Sequence, residues 1–306
     1  EWSRGLGDVY KRQVAILGLL LGGVYALMAA GLTLAFGVMR IVNLAHAAFI
    51  IASAYISFFA FEKLGIDPLL SVLFVMPIMF LFGVAVYQVL FRRIEGSKKF
   101  GEMTVLLTFG IAIMVEGLLG FVFTGIYRKA QPVYANESFI LDGLFLPQGD
   151  ILFIPKGQFY ASLMSIVLLV GLWAFLRYSH TGYAIRATTQ NRAAAQIVGV
   201  NVRRVSAISF GLSTALAGAS GALMSYLFPF FPFRHWQWVA VLLALVVLGG
   251  MGSMKGAVIG ALVLGVASSF VVDQIGPTWG PMTFYLALFL ILLIRPQGLF
   301  GKEAPA

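Results

Sequence analysis

Apolar residues in this chain fall into long blocks separated by short polar interruptions. A helix rising about 1.5 Å per residue needs about twenty residues to cross about 30 Å of hydrocarbon. Blocks near that length predict membrane helices over residues 14–38, 44–61, 69–91, 103–125, 158–176, 206–228, 237–252, 256–274 and 282–294. The expected fold class is therefore all-α, a polytopic membrane helix bundle. The last blocks are short and glycine-rich, so broken or re-entrant helices are expected among them. Eight full spans plus a broken one fit this pattern as well as nine do.

The main interruption is the polar island Arg177–Arg204, RYSHTGYAIRATTQNRAAAQIVGVNVRR, with five arginines and no acid. Cationic loops stay on the cytoplasmic side of a membrane. With the amino end outside and nine crossings, thirteen Lys and Arg fall in inside loops: Arg40; Arg92, Arg93, Lys98 and Lys99; Arg177, Arg186, Arg192, Arg203 and Arg204; Lys255; Arg295 and Lys302. Five fall outside (Lys63, Arg128, Lys129, Lys156 and Arg234), with Arg4, Lys11 and Arg12 set aside, and the opposite orientation reverses the ratio. Within the island a short amphipathic helix is expected at about Thr188–Val198. Ala193, Ala194 and Ala195 are strong helix formers, and Gly199 supplies the left-handed residue on which many helices end. A helix presented in this way can dock on a soluble partner.

The outside segment 126–158 carries Pro132, Pro147, Pro155, Asp142 and Asp150 among apolar residues. It reads as an ordered extracytoplasmic loop, a short hairpin or a surface helix. A partner surface and a lid packed on the helix ends are both open there. Gly18, Gly22, Gly211, Gly218, Gly221, Gly260 and Gly265 lie inside spans, where small residues let backbones approach closely. Gly249, Gly250, Gly252 and Gly256 are too dense for one helix, and predict a hinge or short loop between two membrane helices.

Composition supports the same class. The 306 residues are 60% hydrophobic, 14% aromatic and 11% charged, whereas a soluble domain has about a quarter charged. The net charge of +9 resides in loops, which topology explains, so membrane lipid and not nucleic acid is the expected neighbour. The absence of cysteine excludes disulfides, thiolate metal sites and cysteine nucleophiles. Glu1–Gln13, polar and mixed in charge, reads as a non-native extension and is set aside from fold reasoning. The block from Val14 is too long for a signal-peptide core and reads as a retained span. A single transmembrane unit over 14–302 is expected.

Candidate chemistry is sparse. His46, His180 and His235 are scattered, no pair has helical metal-ligand spacing, and neither a Walker-type loop nor a G-x-S-x-G turn occurs. No catalytic residue and no metal ligand is assigned. Glu116 is the acid placed well inside a span. It fits either a coupling carboxylate on a pathway or a hydrogen-bonded structural acid near the outer interface. Asn43 and His46, in RIVNLAHAAF, fit helix capping or the lining of a cavity.

Three stretches together resemble the permease subunits of ATP-binding-cassette importers for branched-chain amino acids, over about Leu17 to Lys302. They are Gly37–Phe49 (GVMRIVNLAHAAF) with Ala54-Tyr55; Arg186-Ala-Thr through Ala195-Gln-Ile-Val-Gly199-Val-Asn-Val-Arg-Arg204; and Gly249-Gly-Met-Gly-Ser253 with Gly256 and Gly260, closed by Arg295-Pro-Gln-Gly-Leu299. The resemblance implies an inner-membrane importer subunit that is not itself an enzyme. Two cytoplasmic ATPase subunits would bring ATP and Mg, so no cofactor is bound by this chain. A second homologous permease, or a homodimer, and an extracytoplasmic substrate-binding protein complete the assembly. Ala193-Ala194-Ala195 with Gly199 looks like the E-A-A-x-x-x-G element of importer coupling loops, with Ala193 where the family has Glu, so 177–205 would be the coupling loop. Ala47 and Ser53 stand where the first stretch is expected to have glycines. Permeases for urea or short amides are close alternatives. An ion-coupled secondary carrier and a passive channel are readings from other classes.

Overall fold

The computed structural model describes residues 2–142, 151–295 and 297–300. Among them, nine helical stretches are long and apolar enough to cross a membrane: Tyr10–Met39, Ala45–Leu64, Pro68–Ile94, Phe100–Phe123, Lys156–Tyr178, Val202–Leu227, Pro232–Gly249, Met254–Gln274 and Pro277–Ile294. The bilayer offers no water to the backbone, so each segment satisfies its own N–H and C=O groups as a helix. In chain order the helices are α1 (Trp2–Met39), α2 (Ala45–Leu64), α3 (Pro68–Val86), α4 (Arg92–Ile94), α5 (Phe100–Phe123), α6 (Lys156–Tyr178), α7 (His180–Gln190), α8 (Arg192–Ile197), α9 (Val202–Leu227), α10 (His235–Gly249), α11 (Met254–Gln274) and α12 (Gly280–Ile294). Among the described residues all nine expected blocks correspond to helices long and apolar enough to cross.

The irregularity lies elsewhere than expected. The third span is interrupted by a π-turn over Tyr87–Phe91, between α3 and the single-turn α4. The short α10 is instead extended at its start by the 3-10 turn Pro232–Arg234. Within segment 126–158, β1 (Ser138–Asp142) and β2 (Ile151–Pro155) pair antiparallel, with Ser138 opposite Pro155. Pro147 and Asp150 lie outside the described residues, as does Lys302.

The bundle is built around α9, whose residues from Val205 to Tyr226 are almost all buried. Its Ala, Ser and Gly positions let α1, α2 and α3 pack directly on its backbone. At Gly221 a Cβ would sit 2.2 Å from the Ile50 carbonyl oxygen of α2. On the opposite flank α1 runs along α11, with Gly22 and Gly265 at the crossing.

One end of the bundle is tied by polar contacts in its loops. Arg128 and Phe230 exchange backbone hydrogen bonds at 2.9 Å, and Ala130 N–H donates to the Ser225 carbonyl at 2.8 Å. Asp67 caps α3 by accepting from Leu69 N–H at 2.8 Å, with Pro68 at the first helical position. The Tyr134 hydroxyl donates to the same carboxylate at 2.8 Å. Burial pushes the Tyr134 hydroxyl well above its ordinary pKa, with neighbouring Tyr226 and Asp67 adding to the effect, so it remains a donor.

Candidate functional site

The polar island is a staircase of three capped helix starts. Ser179 Oγ accepts from Gly182 N–H at 2.9 Å and opens α7. Asn191, in extended backbone (φ −152°, ψ 107°), accepts from Ala194 N–H at 3.0 Å and opens α8. Asn201 accepts from Arg204 N–H at 3.0 Å and opens α9. The continuous helix expected at Thr188–Val198 is therefore split at Asn191. An Asn side chain that takes up a first-turn N–H starts a new helix in preference to continuing an old one. The motif Asn191-Arg192-Ala193-Ala194 was the cue in the sequence. Gly199 does end α8, at φ +88°, with Val200 N–H closing on the Ala195 carbonyl at 2.9 Å.

Side-chain placement divides the expected residues. Ala195 is buried against the bundle, while Ala193 and Ala194 face outward. Beside them Ile197 is 86% exposed and Val198 77% exposed. Sequence reasoning passed over these two, although a pair of aliphatics directly before a glycine stop in a polar loop was visible. The arginines diverge. Arg186 lies over the Tyr183 ring, 4.8 Å from its centroid, and reaches the Arg177 carbonyl at 3.4 Å. Arg204 is exposed. Arg192 and Arg203 converge on Glu95, at 2.5 Å and 3.6 Å, a partner that had not been singled out.

The glycine turn belongs to the same end. α10 stops at Gly249, Gly250 (φ +90°) and Gly252 (φ +85°) make the turn, and Ser253 caps α11 through Gly256 N–H at 3.2 Å. Gly37, near the end of α1, faces both Thr189 of α7 and Gly252: a Cβ there would lie 3.4 Å and 3.8 Å from them. The expected turn between two membrane helices is thus in contact with the island through α1. Leu299 N–H closes onto the Leu248 carbonyl at 2.9 Å, bringing the end of the last span to this turn.

Asn43 and His46 play different parts. Asn43 Oδ1 accepts from Ala45 N–H at 3.1 Å in a turn just ahead of α2, whose N-cap residue is Leu44 and carries no side-chain cap bond. His46 is already inside α2 and reaches across to α1, its Nε2 donating to the Met28 carbonyl at 3.2 Å. Both residues line a cavity of about 10 Å³, with Leu32, Leu242 and Leu243, close to the room one water needs. Asn43 Nδ2 and His46 Nδ1 are buried without a protein hydrogen-bond partner.

Glu116 stands apart from this group, towards the carboxyl end of α5. Its carboxylate is 16% exposed, accepts from Trp236 Nε1 at 2.7 Å and lies 3.5 Å from His235 Nε2. His235 Nδ1 donates to the Pro232 carbonyl at 3.0 Å. Glu116 thereby ties α5 to the start of α10. Glu116→Gln keeps an acceptor for Trp236, so thermal stability of the purified protein should hold. Glu116→Leu removes the acceptor of the exposed Trp236 indole and should lower stability by about 1 kcal/mol, the net contribution of a typical hydrogen bond. Loss of uptake in Glu116→Gln with unchanged stability would instead put the charge itself on the pathway.

Residues 14–294 match the sequence family described as Branched-chain amino acid transport system / permease component. The chain is 27% identical over 303 residues to the high-affinity branched-chain amino acid transport system permease protein LivH of Salmonella typhimurium, covering 96% of both. It is 27% identical over 299 residues to the corresponding permease protein BraD of Pseudomonas aeruginosa, covering 95% of both. In fold it is similar to a chain of PsaBC from Streptococcus pneumoniae in complex with Fab, with TM-score 0.52 over 98% of each chain at 12% identity. A match across nearly all of its candidate spans, in a chain whose described residues include nine helices able to cross a membrane, means that it belongs to the permease-component family of branched-chain amino acid transport systems, as a transport subunit and not an enzyme.

Proposed function

We propose that this chain forms the pathway of an ATP-binding-cassette importer for branched-chain amino acids in a bacterial inner membrane, amino end outside, and that α8 is its contact with the ATPase. The observation that carries the reading is the pair Ile197 and Val198, almost fully exposed at the tip of a cationic loop. Apolar side chains held in water by a capped helix are what a partner surface covers. In this reading residues 14–302 are the permease unit, 177–205 its coupling loop and 126–158 the face towards a binding protein. Two ATPase subunits supply ATP and Mg, and a second permease or a second copy of this chain completes the pathway.

Closure of the ATPase dimer would push α8, and rigid-body motion of the attached spans would switch access to the cavity between the permeases. The glycine turn at Gly249, Gly250 and Gly252, touching α7 through α1, lies on that route. Asn43, between the first two spans, and His46 and Glu116, within spans, are polar groups whose replacement reports on the pathway.

Co-purification from the native membrane tests this reading. ATPase subunits should accompany the chain, and leucine uptake should require ATP and resist collapse of ion gradients. A charged residue at Ala194, or bulk at Gly199, should uncouple uptake from hydrolysis while the permease still assembles. Uptake that persists without ATPase subunits but fails with the ion gradient would make the protein a secondary carrier. Competition by urea or short amides, and not by leucine, would reassign the solute.

A further inference from the structure

Helix α8 is six residues long and packs on α7 and α9. Its covalent link to α9 runs through Gly199, in left-handed backbone, a compliant joint. A push on such a helix moves distant spans only if something ties it to them. Its tie to the third span is Glu95, just beyond α4, whose carboxylate is only 13% exposed.

Three groups converge on that carboxylate. Arg192, the first residue of α8, donates to Oε1 at 2.5 Å. Arg203, in the first turn of α9, brings Nε to 3.6 Å from Oε2, and the Tyr87 hydroxyl donates to Oε2 at 3.2 Å. Charge-assisted bonds to a shielded carboxylate are the strong ones. The carboxylate is rigidly mounted. Glu95 N–H closes on the Phe91 carbonyl at 3.0 Å, and the buried Phe91 ring lies 4.8 Å from that of Phe210 on α9. Phe91 is the last residue of the π-turn Tyr87–Phe91, which joins α3 to Arg92–Glu95.

We propose that Glu95 is a positioning residue for transport, a latch that carries the motion of α8 into the third span. This rests on α8 being the ATPase contact. It divides the loop into an apolar outer face for the partner, made by Ala193, Ala194, Ile197 and Val198, and a charged inner face that transmits force.

The test uses the assembled transporter in proteoliposomes, with ATPase retention, ATP hydrolysis and leucine uptake read separately. Glu95→Gln and Arg192→Gln should keep the ATPase bound and hydrolysing, while uptake per ATP falls about fivefold or more, the scale of a coupling free energy. Arg192→Lys, which retains the cation, should recover most of the loss. Arg192→Gln, at a more exposed side chain, carries the test if Glu95→Gln does not accumulate. Wild-type uptake per ATP in both Gln variants overturns the latch. Loss of ATPase binding in Glu95→Gln also overturns it, by making Glu95 a docking residue. Failure of the unaltered chain to retain any ATPase defeats the docking reading, and the latch with it.

Discussion

Ile197→Asp is expected to lower ATP-driven uptake by tenfold or more without lowering the amount of folded permease. Ile197 and Val198 touch little of the chain that carries them, so their replacement costs the bundle almost nothing. Against an ATPase surface the balance is different. Burying one such side chain contributes about 1.5–3 kcal/mol, and a tenfold change in affinity corresponds to about 1.4 kcal/mol. An aspartate at the same place forfeits the apolar contribution and adds an unpaired charge to a desolvated contact. Retention of the ATPase on the immobilised permease measures the effect, and the Val198→Asp variant should behave alike. Normal retention in both would remove α8 from the interface.

Gly256→Ala is expected to eliminate the folded protein. Gly256, in the first turn of α11, crosses Gly249 at the end of α10 so closely that a Cβ would sit 1.8 Å from the Gly249 carbonyl oxygen. The obstacle is backbone, so no rotamer change relieves it. Overpacking against side chains costs about 1–3 kcal/mol and occasionally more. Here the two helices themselves must separate, and the adjoining turn at Gly250 and Gly252 moves with them. Fluorescence-detected size exclusion in detergent should show loss of the monodisperse peak. Gly171→Ala is the matched control: nothing lies within 4 Å of a Cβ there, and exchange of glycine for alanine in a helix interior gains about 1 kcal/mol. Survival of Gly256→Ala at wild-type yield would mean that the α10–α11 crossing is looser than drawn.

Much of this architecture was legible in the linear order of residues because the bilayer allows few solutions. Twenty apolar residues in hydrocarbon form a helix, so the nine blocks became nine spans with boundaries displaced by a few residues at most ends. The glycine turn was legible for a similar reason: Gly249–Gly256 has too little helix propensity to continue and too little polarity to leave the membrane surface. The ends of α8 were partly legible. Gly199 announced its stop correctly, whereas its start at Asn191 was missed because a run of alanines suggested continuity where a capping side chain enforced a break.

What the sequence by itself determined about this protein is therefore its solvent, its helices and the polar loop between the fifth and sixth spans, since these follow from local composition and backbone satisfaction. Only the tertiary structure decided which side chains of that loop face water and which face the bundle. It also brought Glu95, almost a hundred residues from its partner, onto Arg192, and turned Glu116 towards Trp236 and His235. The physical reason is that a carboxylate in a poorly hydrated place takes whatever donors the packing of helices delivers to it. That packing is set by small residues along α9, α1 and α11, whose pairing is a property of three dimensions and not of spacing along the chain.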